Sequence, residues 1–145
     1  MMAVDVGELL NSVRSVMAPV CEKKKNTLTL SSLCENNVRG NAELLLQILI
    51  NLIVNSCRHT ENGNISVQVS EDGRNAVFTV ADTGSGIPPE AVPHIFEKGF
   101  TTGSGNGLGL AICMETVELH EGTLELVSTG AEGTTFRFTV PIFSD

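Results

Sequence analysis

The sequence predicts an α+β fold: a two-layer α/β sandwich in which a mixed, mostly antiparallel sheet carries helices on one face. Three observations predict it. Amphipathic helical periodicity occurs in separate segments, short strand-like runs come in pairs, and the two kinds of segment are interspersed along the chain. The length of 145 residues suits one domain, residues 1–145, which is large enough to need no disulfide or metal ion.

The first third of the chain predicts two helices with a strand between them. Val6 to Val20 places apolar residues at helical spacing, which indicates an amphipathic helix. Thr27 to Ser31 alternates like a short strand. Asn41 is a suitable N-cap for a second helix that runs to about Arg58. Because this helix is apolar nearly all round, we expect it to be buried.

In the middle of the chain, regular structure gives way to a long loop. Strands are predicted at Ile65 to Ser70 and Ala76 to Ala81, with the turn at Glu71 to Asn75. From Asp82 to Gly107 the sequence is dense in Gly, Pro and Thr, with one helical turn around Pro89 to Phe96. A weakly structured segment of this length in a compact domain is usually functional. The closing elements are a helix at Leu108 to His120 and strands at Leu124 to Ser128 and Thr134 to Val140.

Charge and composition argue against several classes of partner. The net charge is −8, whereas nucleic acids and anionic membranes require a basic surface. The longest apolar stretch, Leu44 to Val54, has 11 residues and contains two side-chain amides, so we expect no direct membrane insertion. A membrane anchor of the full protein would lie outside these residues. The four cysteines form no C-x-x-C pair, which favours reduced thiols and a cytoplasmic location.

A glycine-rich run from Thr101 to Leu110 is the most informative stretch. Glycines alternate at 103, 105, 107 and 109, where the third helix is predicted to begin. Glycine lets backbone amides approach a ligand closely, and a helix N-terminus adds unpaired N–H groups. The run therefore predicts an anion-binding cradle, with a flexible hinge as the alternative. It is not a Walker A loop, because no Gly-Lys-Ser/Thr follows, and no βαβ unit surrounds it as in a Rossmann fold.

Asp82 follows a predicted strand and is itself followed by two glycines, Gly84 and Gly86. A carboxylate in this place can accept a hydrogen bond from the exocyclic amine of adenine, whereas guanine presents a carbonyl there. The glycines would leave room for a flat base. An ordinary Asp-Gly turn is the alternative interpretation.

Asn51 and Asn55 are four residues apart, so their amides share one face of the second helix. Burying an amide is unfavourable unless it is hydrogen-bonded, so the pair predicts a polar contact. An amide oxygen suits Mg²⁺ among phosphates, and Arg58, about one turn later, would add a cation. Hydrogen bonds within the core explain the pair equally well when it is considered alone.

In their order along the chain, these motifs resemble the catalytic domain of sensor histidine kinases, in the superfamily that includes gyrase, mismatch-repair ATPases and a heat-shock chaperone. The resemblance covers the whole chain and includes Ile95 to Phe100 and Gly133 to Phe136. It implies the Bergerat fold, ATP and Mg²⁺ as cofactors, and a lid over ATP from Pro88 to Asn106. It also implies that residues 1 to about 25 lead in from a missing helical hairpin that carries the phosphorylated histidine.

The resemblance also implies roles for individual residues in the motif named the N box, Asn51 to His59. Asn55 would be the Mg²⁺ ligand and Asn51 would lie beside the phosphates, and with Arg58 they form the expected catalytic set. Ser56 replaces a usual alanine, which removes no group that binding needs.

For the base and the phosphates, the resemblance implies that Asp82 binds the adenine amine. Gly86 would lie against the base, and Thr134 would assist through water. Thr83 replaces a frequent asparagine without removing a binding group. The expected ATP-binding residues are Asn55, Asp82, Gly84, Gly86, Ile87, Phe96, Thr101, Thr102, Gly105, Gly107, Leu108, Gly109 and Thr134.

Asn51 separates a histidine kinase from the hydrolysing relatives, which usually have a glutamate general base at this position. An amide cannot accept a proton near neutral pH, so we expect the site to position ATP without activating water. Phosphoryl transfer then needs a histidine on another domain. None of His59, His94 and His120 lies in a suitable context. The expected partners are therefore a phosphoacceptor histidine domain and a response regulator.

Three other classes of function make different predictions. An ATPase of the same superfamily that dimerises on nucleotide would hydrolyse ATP steadily. An inactive nucleotide-binding module should have eroded motifs, and here they are intact. A purely structural domain gives no reason for the glycines at 84, 86, 103, 105, 107 and 109.

Overall fold

A computed structural model describes residues 1–99 and 109–144, and it confirms the α+β class with a mixed sheet. The strands are β1 (Met2–Val4), β2 (Thr27–Ser32), β3 (Val38–Gly40), β4 (Asn64–Asp72), β5 (Asn75–Asp82), β6 (Leu124–Gly130) and β7 (Gly133–Pro141). The α-helices are α1 (Val6–Lys23), α2 (Ala42–His59) and α3 (Gly109–Leu119), and a 3₁₀ turn spans Val92–His94.

The main sheet has five strands in the order β2-β4-β5-β7-β6. β2 pairs with β4 in parallel, and the other pairs are antiparallel. Alternate side chains of β5 are buried, from Ala76 to Asp82, while those between them are half-buried. This alternation is the pattern of a sheet with one face against the core and one face toward solvent.

Both long helices begin at side-chain caps that the sequence marks. Asp5 Oδ1 accepts a hydrogen bond from Glu8 N, and Asn41 Oδ1 accepts one from Leu44 N, each at 3.0 Å. The predicted Asn41 cap is therefore confirmed. The expected burial of α2 holds for one face only, because Glu43, Leu44, Gln47 and Arg58 are exposed. The fully buried apolar residues of this helix are Leu45, Ile48, Leu49, Leu52 and Ile53.

α3 packs antiparallel to α2. Near its C-terminal end, His120 Nε2 accepts a hydrogen bond from Asn41 N at 3.1 Å. Further back, Cys113 Sγ lies 3.7 Å from Ile48 O. The two contacts are seven residues apart on α3 and seven residues apart on α2. Equal steps along the two helices therefore bring facing residues to the same level. Extrapolating one more turn places Gly109, the first described residue of α3, level with the α2 turn that leads to Asn55.

Several details differ from the sequence prediction. β1 and β3 form a separate two-stranded sheet that no periodicity predicted, because each has only three residues. The β4–β5 turn is shorter than expected, since Asp72 pairs with Asn75 and leaves two residues between them. The helical turn expected around Pro89 to Phe96 is the 3₁₀ turn. Within the described residues, no helix combines the length and apolarity that crossing a bilayer requires.

Candidate functional site

Asp82 is the last residue of β5 and its side chain is fixed in place. The residue is 8% exposed, and its Oδ1 accepts hydrogen bonds from Gly84 N at 2.9 Å and Thr134 N at 3.2 Å. Both bonds fall on one oxygen. The carboxylate is therefore held in one orientation without using Oδ2.

Thr134 lies opposite Asp82 on β7 and is also buried. Its hydroxyl is 2.8 Å from the Thr129 hydroxyl on β6, and Thr129 Oγ1 also accepts a hydrogen bond from Ile87 N at 2.8 Å. No pattern in the sequence predicted a role for Thr129. The register that brings it to Thr134 follows an irregularity in β6 between Leu126 and Ser128, which a strand pattern does not reveal.

Gly84 and Gly86 are required by close packing of the loop after Asp82. A Cβ at Gly84 would collide with the carbonyl of His59, at the end of α2. Gly86 has φ +85°, and a Cβ there would collide with the backbone of Gly130. The sequence predicts that these glycines leave room for a flat base. The structure adds a second reason, because the loop is held between α2 and the β6–β7 hairpin.

Asn51 and Asn55 lie on one face of α2, and both are half-buried. Asn51 Oδ1 accepts a hydrogen bond from Gln47 Nε2 at 3.1 Å. Burial raises the pKa of Cys113 on α3 to about 12, while a hydrogen bond with Asn51 acts in the opposite direction. The side chain of Asn55 makes no hydrogen bond with any part of the chain that the structure describes. Arg58, about one turn later, is exposed.

His59 connects the end of α2 electrostatically to Asp82. Burial is the largest influence and lowers the pKa of His59 from its usual 6.5. The Asp82 carboxylate acts against this shift, and Arg58 and Lys24 reinforce it. Ser85 N also donates a 3.0 Å hydrogen bond to His59 O. The last turn of α2 and the Asp82 loop therefore form one unit.

The segment that follows this loop, residues 87–99, packs against the sheet and α3. Ile87 and Ile95 are buried, and Phe96 meets Phe136 edge to face with ring centroids 6.3 Å apart. Lys98 Nζ lies 3.4 Å from Glu115 Oε1 on α3. The predictions for Thr101, Thr102, Gly105, Gly107 and Leu108 lie outside the described residues, while Gly109 is in the first turn of α3.

A cavity of about 440 Å³ opens at the β6–β7 hairpin. It shares Asp82 with the candidate site, but none of its lining residues comes from α2. Thr135, which lines it, points to the opposite face of β7 from Thr134. The cavity therefore opens toward the face of β7 that carries Thr135.

Comparison with known proteins identifies a family. The sequence model described as "Histidine kinase-, DNA gyrase B-, and HSP90-like ATPase" matches residues 40–143. The sensor protein KdpD of Clostridium acetobutylicum is 38% identical over 112 residues, which cover 72% of this chain and 12% of KdpD. The heme sensor protein HssS of Staphylococcus aureus is 35% identical over 122 residues, covering 81% of this chain and 27% of HssS. The chain thus spans a minor part of the length of both relatives.

Solved structures show the same similarity. The catalytic domain of histidine kinase ThkA, in a nucleotide-free form, superposes with a TM-score of 0.87 at 28% identity, covering 97% of this chain and 95% of that domain. Full-length ShkA in complex with AMPPNP gives a TM-score of 0.90 at 31% identity, covering 99% of this chain and 31% of ShkA. The chain therefore belongs to the family of histidine kinase-, DNA gyrase B- and HSP90-like ATPases, and within it to the ATP-binding catalytic domains of sensor histidine kinases.

Proposed function

We propose that this chain binds ATP with Mg²⁺ and presents the γ-phosphate to a histidine on another domain of the same kinase or of a partner kinase chain. One arrangement carries the proposal: the two ends of the expected nucleotide site are both anchored to α2. Its last turn supports the Asp82 loop through the His59 carbonyl. Continuing the spacing of the Asn41–His120 and Ile48–Cys113 contacts by one turn would bring Gly109 level with Leu52, about one turn before Asn55.

At the base end, Asp82 is suited to recognise an exocyclic amine. Its Oδ1 is occupied by the backbone amides of Gly84 and Thr134, so Oδ2 is the oxygen available to a ligand. A fixed, largely buried carboxylate accepts a hydrogen bond from adenine and repels the carbonyl of guanine. We expect Gly86, Ile87 and Thr134 to lie around the base, and Phe96 to border it.

At the phosphate end, the start of α3 offers backbone N–H groups and a positive dipole. We expect Thr101, Thr102, Gly105, Gly107, Leu108 and Gly109 to surround the phosphates.

The residues fit a magnesium ion held together with ATP. Asn55 carries a half-buried amide oxygen that is bonded to no described residue, and such hard oxygens suit Mg²⁺. Among the described residues, no group of three His, Cys, Asp or Glu side chains could hold a metal alone. Phosphate oxygens would therefore complete the coordination, and the ion would neutralise phosphate charge.

The chain's own groups support phosphoryl transfer rather than hydrolysis. Asn51 has an amide, which cannot act as a general base. Its role would be to lie beside the phosphates, with Arg58 as a nearby cation. The acceptor histidine would come from a separate domain. A response regulator would be a further partner, as in the structure of ThkA with the response regulator TrrA. We expect the site to face the cytoplasm.

Calorimetric titration with ATP, ADP and GTP, with and without Mg²⁺, tests the proposal. We expect ATP and ADP to bind, ATP to bind more tightly with Mg²⁺, and GTP to bind much more weakly. Failure of ATP to bind in the presence of Mg²⁺ would reject the proposal and favour an inactive module. Steady ATP hydrolysis with nucleotide-dependent dimerisation would favour an ATPase instead.

A further inference from the structure

The turn that joins α1 to β2 holds the C-terminal end of α2. Asn26 is 6% exposed, and its Nδ2 donates a 2.9 Å hydrogen bond to Thr60 O while its Oδ1 accepts one from Gly63 N at 3.0 Å. Lys24 Nζ donates a 2.7 Å hydrogen bond to Cys57 O. The side chains of Lys24 and Asn26 therefore contact the last turn of α2, the residue that follows it and the loop beyond it.

These contacts satisfy groups that a helix cannot satisfy by itself. The carbonyls of the last helical turn have no partner within the helix. The Lys24 ammonium supplies a donor to the carbonyl of Cys57, and its positive charge is favourable at a helix C-terminus. Asn26 supplies a donor to Thr60, the residue that follows the helix. The end of α2 is thus fixed by side chains from another element instead of fraying into solvent.

The fixed end of α2 in turn supports Asp82. The His59 carbonyl accepts a hydrogen bond from Ser85 N and packs directly on Gly84. Gly84 N donates to Asp82 Oδ1. The contacts therefore run without a gap from the end of α1 to the carboxylate: Lys24 and Asn26 hold the last turn of α2, and that turn holds the loop that orients Asp82.

We propose that Lys24 and Asn26 are positioning residues for the nucleotide site, which set the orientation of Asp82 through the last turn of α2. This inference rests on the proposed function, in which Asp82 recognises adenine. Neither side chain is bonded to Asp82, and their effect passes through the backbone of His59 and Gly84. A shift of α1 relative to α2 would consequently alter recognition of the base.

Two near-isosteric variants test this role. Asn26→Asp keeps an acceptor for Gly63 N but replaces the donor to Thr60 O with a second acceptor. Lys24→Met keeps the apolar stem and removes the ammonium group. Matched controls are Asn75→Asp, at the exposed start of β5, and Lys23→Met, on the exposed side of α1.

The measurements are the amide signals of Gly84 and Ser85 in ¹H–¹⁵N spectra without nucleotide, then calorimetric affinities for ATP and GTP. We expect both amide signals to move in the two test variants and ATP affinity to fall roughly tenfold, as for one lost buried hydrogen bond. The preference for ATP over GTP should also shrink, which a general loss of stability would not produce. The controls should match the unmodified chain.

Folded test variants with unchanged Gly84 and Ser85 signals would overturn the inference, as would unchanged ATP affinity and base preference. An equal loss of ATP and GTP affinity that follows the loss of thermal stability would also overturn it. If the unmodified chain does not bind ATP, the proposed function fails. The amide signals still report whether Lys24 and Asn26 orient the Asp82 loop, so the two failures are distinguishable.

Discussion

Asp82 and Thr134 face each other across the antiparallel β5–β7 pair, and the Thr134 amide donates a 3.2 Å hydrogen bond to Asp82 Oδ1. Because the Gly84 amide binds the same oxygen, both hydrogen bonds that orient the carboxylate within the described residues come from the backbone. Backbone donors cannot be lost by side-chain rotation, so Oδ2 keeps a defined direction. This geometry makes the role of Asp82 open to a direct test.

Replacing the carboxylate should sharply reduce nucleotide affinity. Asp82→Ala removes a charged hydrogen bond of roughly 1.5–3 kcal/mol, which corresponds to about one to two orders of magnitude in the dissociation constant for ATP. Calorimetric titration measures the change, and Asp72→Ala, at the exposed β4–β5 turn, is the control. Unchanged ATP affinity in Asp82→Ala would contradict the assignment. Similar affinities of the unmodified chain for ATP and GTP would do so as well.

Removing the Asn55 amide should weaken the dependence of ATP binding on Mg²⁺. Asn55→Ala takes away the half-buried amide oxygen expected to bind the ion, while the base contacts remain. ATP affinity is measured at increasing Mg²⁺ concentration, with Asn11→Ala on the exposed side of α1 as the control. The same Mg²⁺ titration in both variants would reject Asn55 as a ligand.

The sequence predicted the elements whose signals are local. The helical spacing of apolar residues and the Asn41 cap located α2, and the chemistry of Asp82, Gly84 and Gly86 marked the loop. Local periodicity and capping depend on neighbours within a few residues, so they can be read from the chain alone. The remaining parts of the site depend on pairings between distant segments.

Lys24, Asn26 and Thr129 show why those parts escaped prediction. Asn26 contacts Thr60, which is 34 residues away, and Thr129 contacts Ile87, which is 42 residues away. Before the strands are paired, polar residues at a helix end or on an edge strand look like ordinary surface positions. Their roles appear only when the register of the sheet and the packing of α1 against α2 are known.

The buried His120 should contribute to stability rather than accept a phosphoryl group. It is 2% exposed, accepts a hydrogen bond from Asn41 N and contacts Thr116 O at 2.8 Å through Nδ1. His120→Ala removes a buried ring and leaves Asn41 N without its partner, while Thr116 O keeps the backbone amide of residue 120, so we expect the free energy of unfolding to fall by about 2–4 kcal/mol. Urea denaturation measures it, with the 68% exposed Leu119→Ala as the control. An effect no larger than that of the control would contradict this role.

Protonation of His59 should make the fold sensitive to mild acid. Burial, reinforced by Arg58 and Lys24 and opposed by Asp82, lowers the pKa of His59 from 6.5. The unfolded chain therefore binds this proton at a higher pH than the folded chain. The neutral His59 side chain contributes fully to stability above the pKa that it has in the unfolded chain. This contribution is lost as the pH falls through its lower pKa in the folded chain.

The measurement is the urea midpoint across that range. Between about pH 7.5 and pH 5.5, we expect the midpoint of the unmodified chain to fall more steeply than that of His59→Gln, which cannot titrate. Comparing the two chains cancels the contributions of the other titrating groups. Parallel pH profiles would show that His59 has the same pKa in both states.

The isolated chain should bind ATP yet release very little phosphate. Asn51 Oδ1 accepts a hydrogen bond from Gln47, and its amide cannot take a proton from water. Phosphate release is followed at saturating ATP and Mg²⁺, and Asp82→Ala reveals any contaminating ATPase, whose activity would survive the substitution. Sustained release that disappears in Asp82→Ala would mean that this site activates water. In that case the chain would act as an ATPase. The absence of a carboxylate at position 51 would then not distinguish ATP hydrolysis from phosphoryl transfer to a histidine.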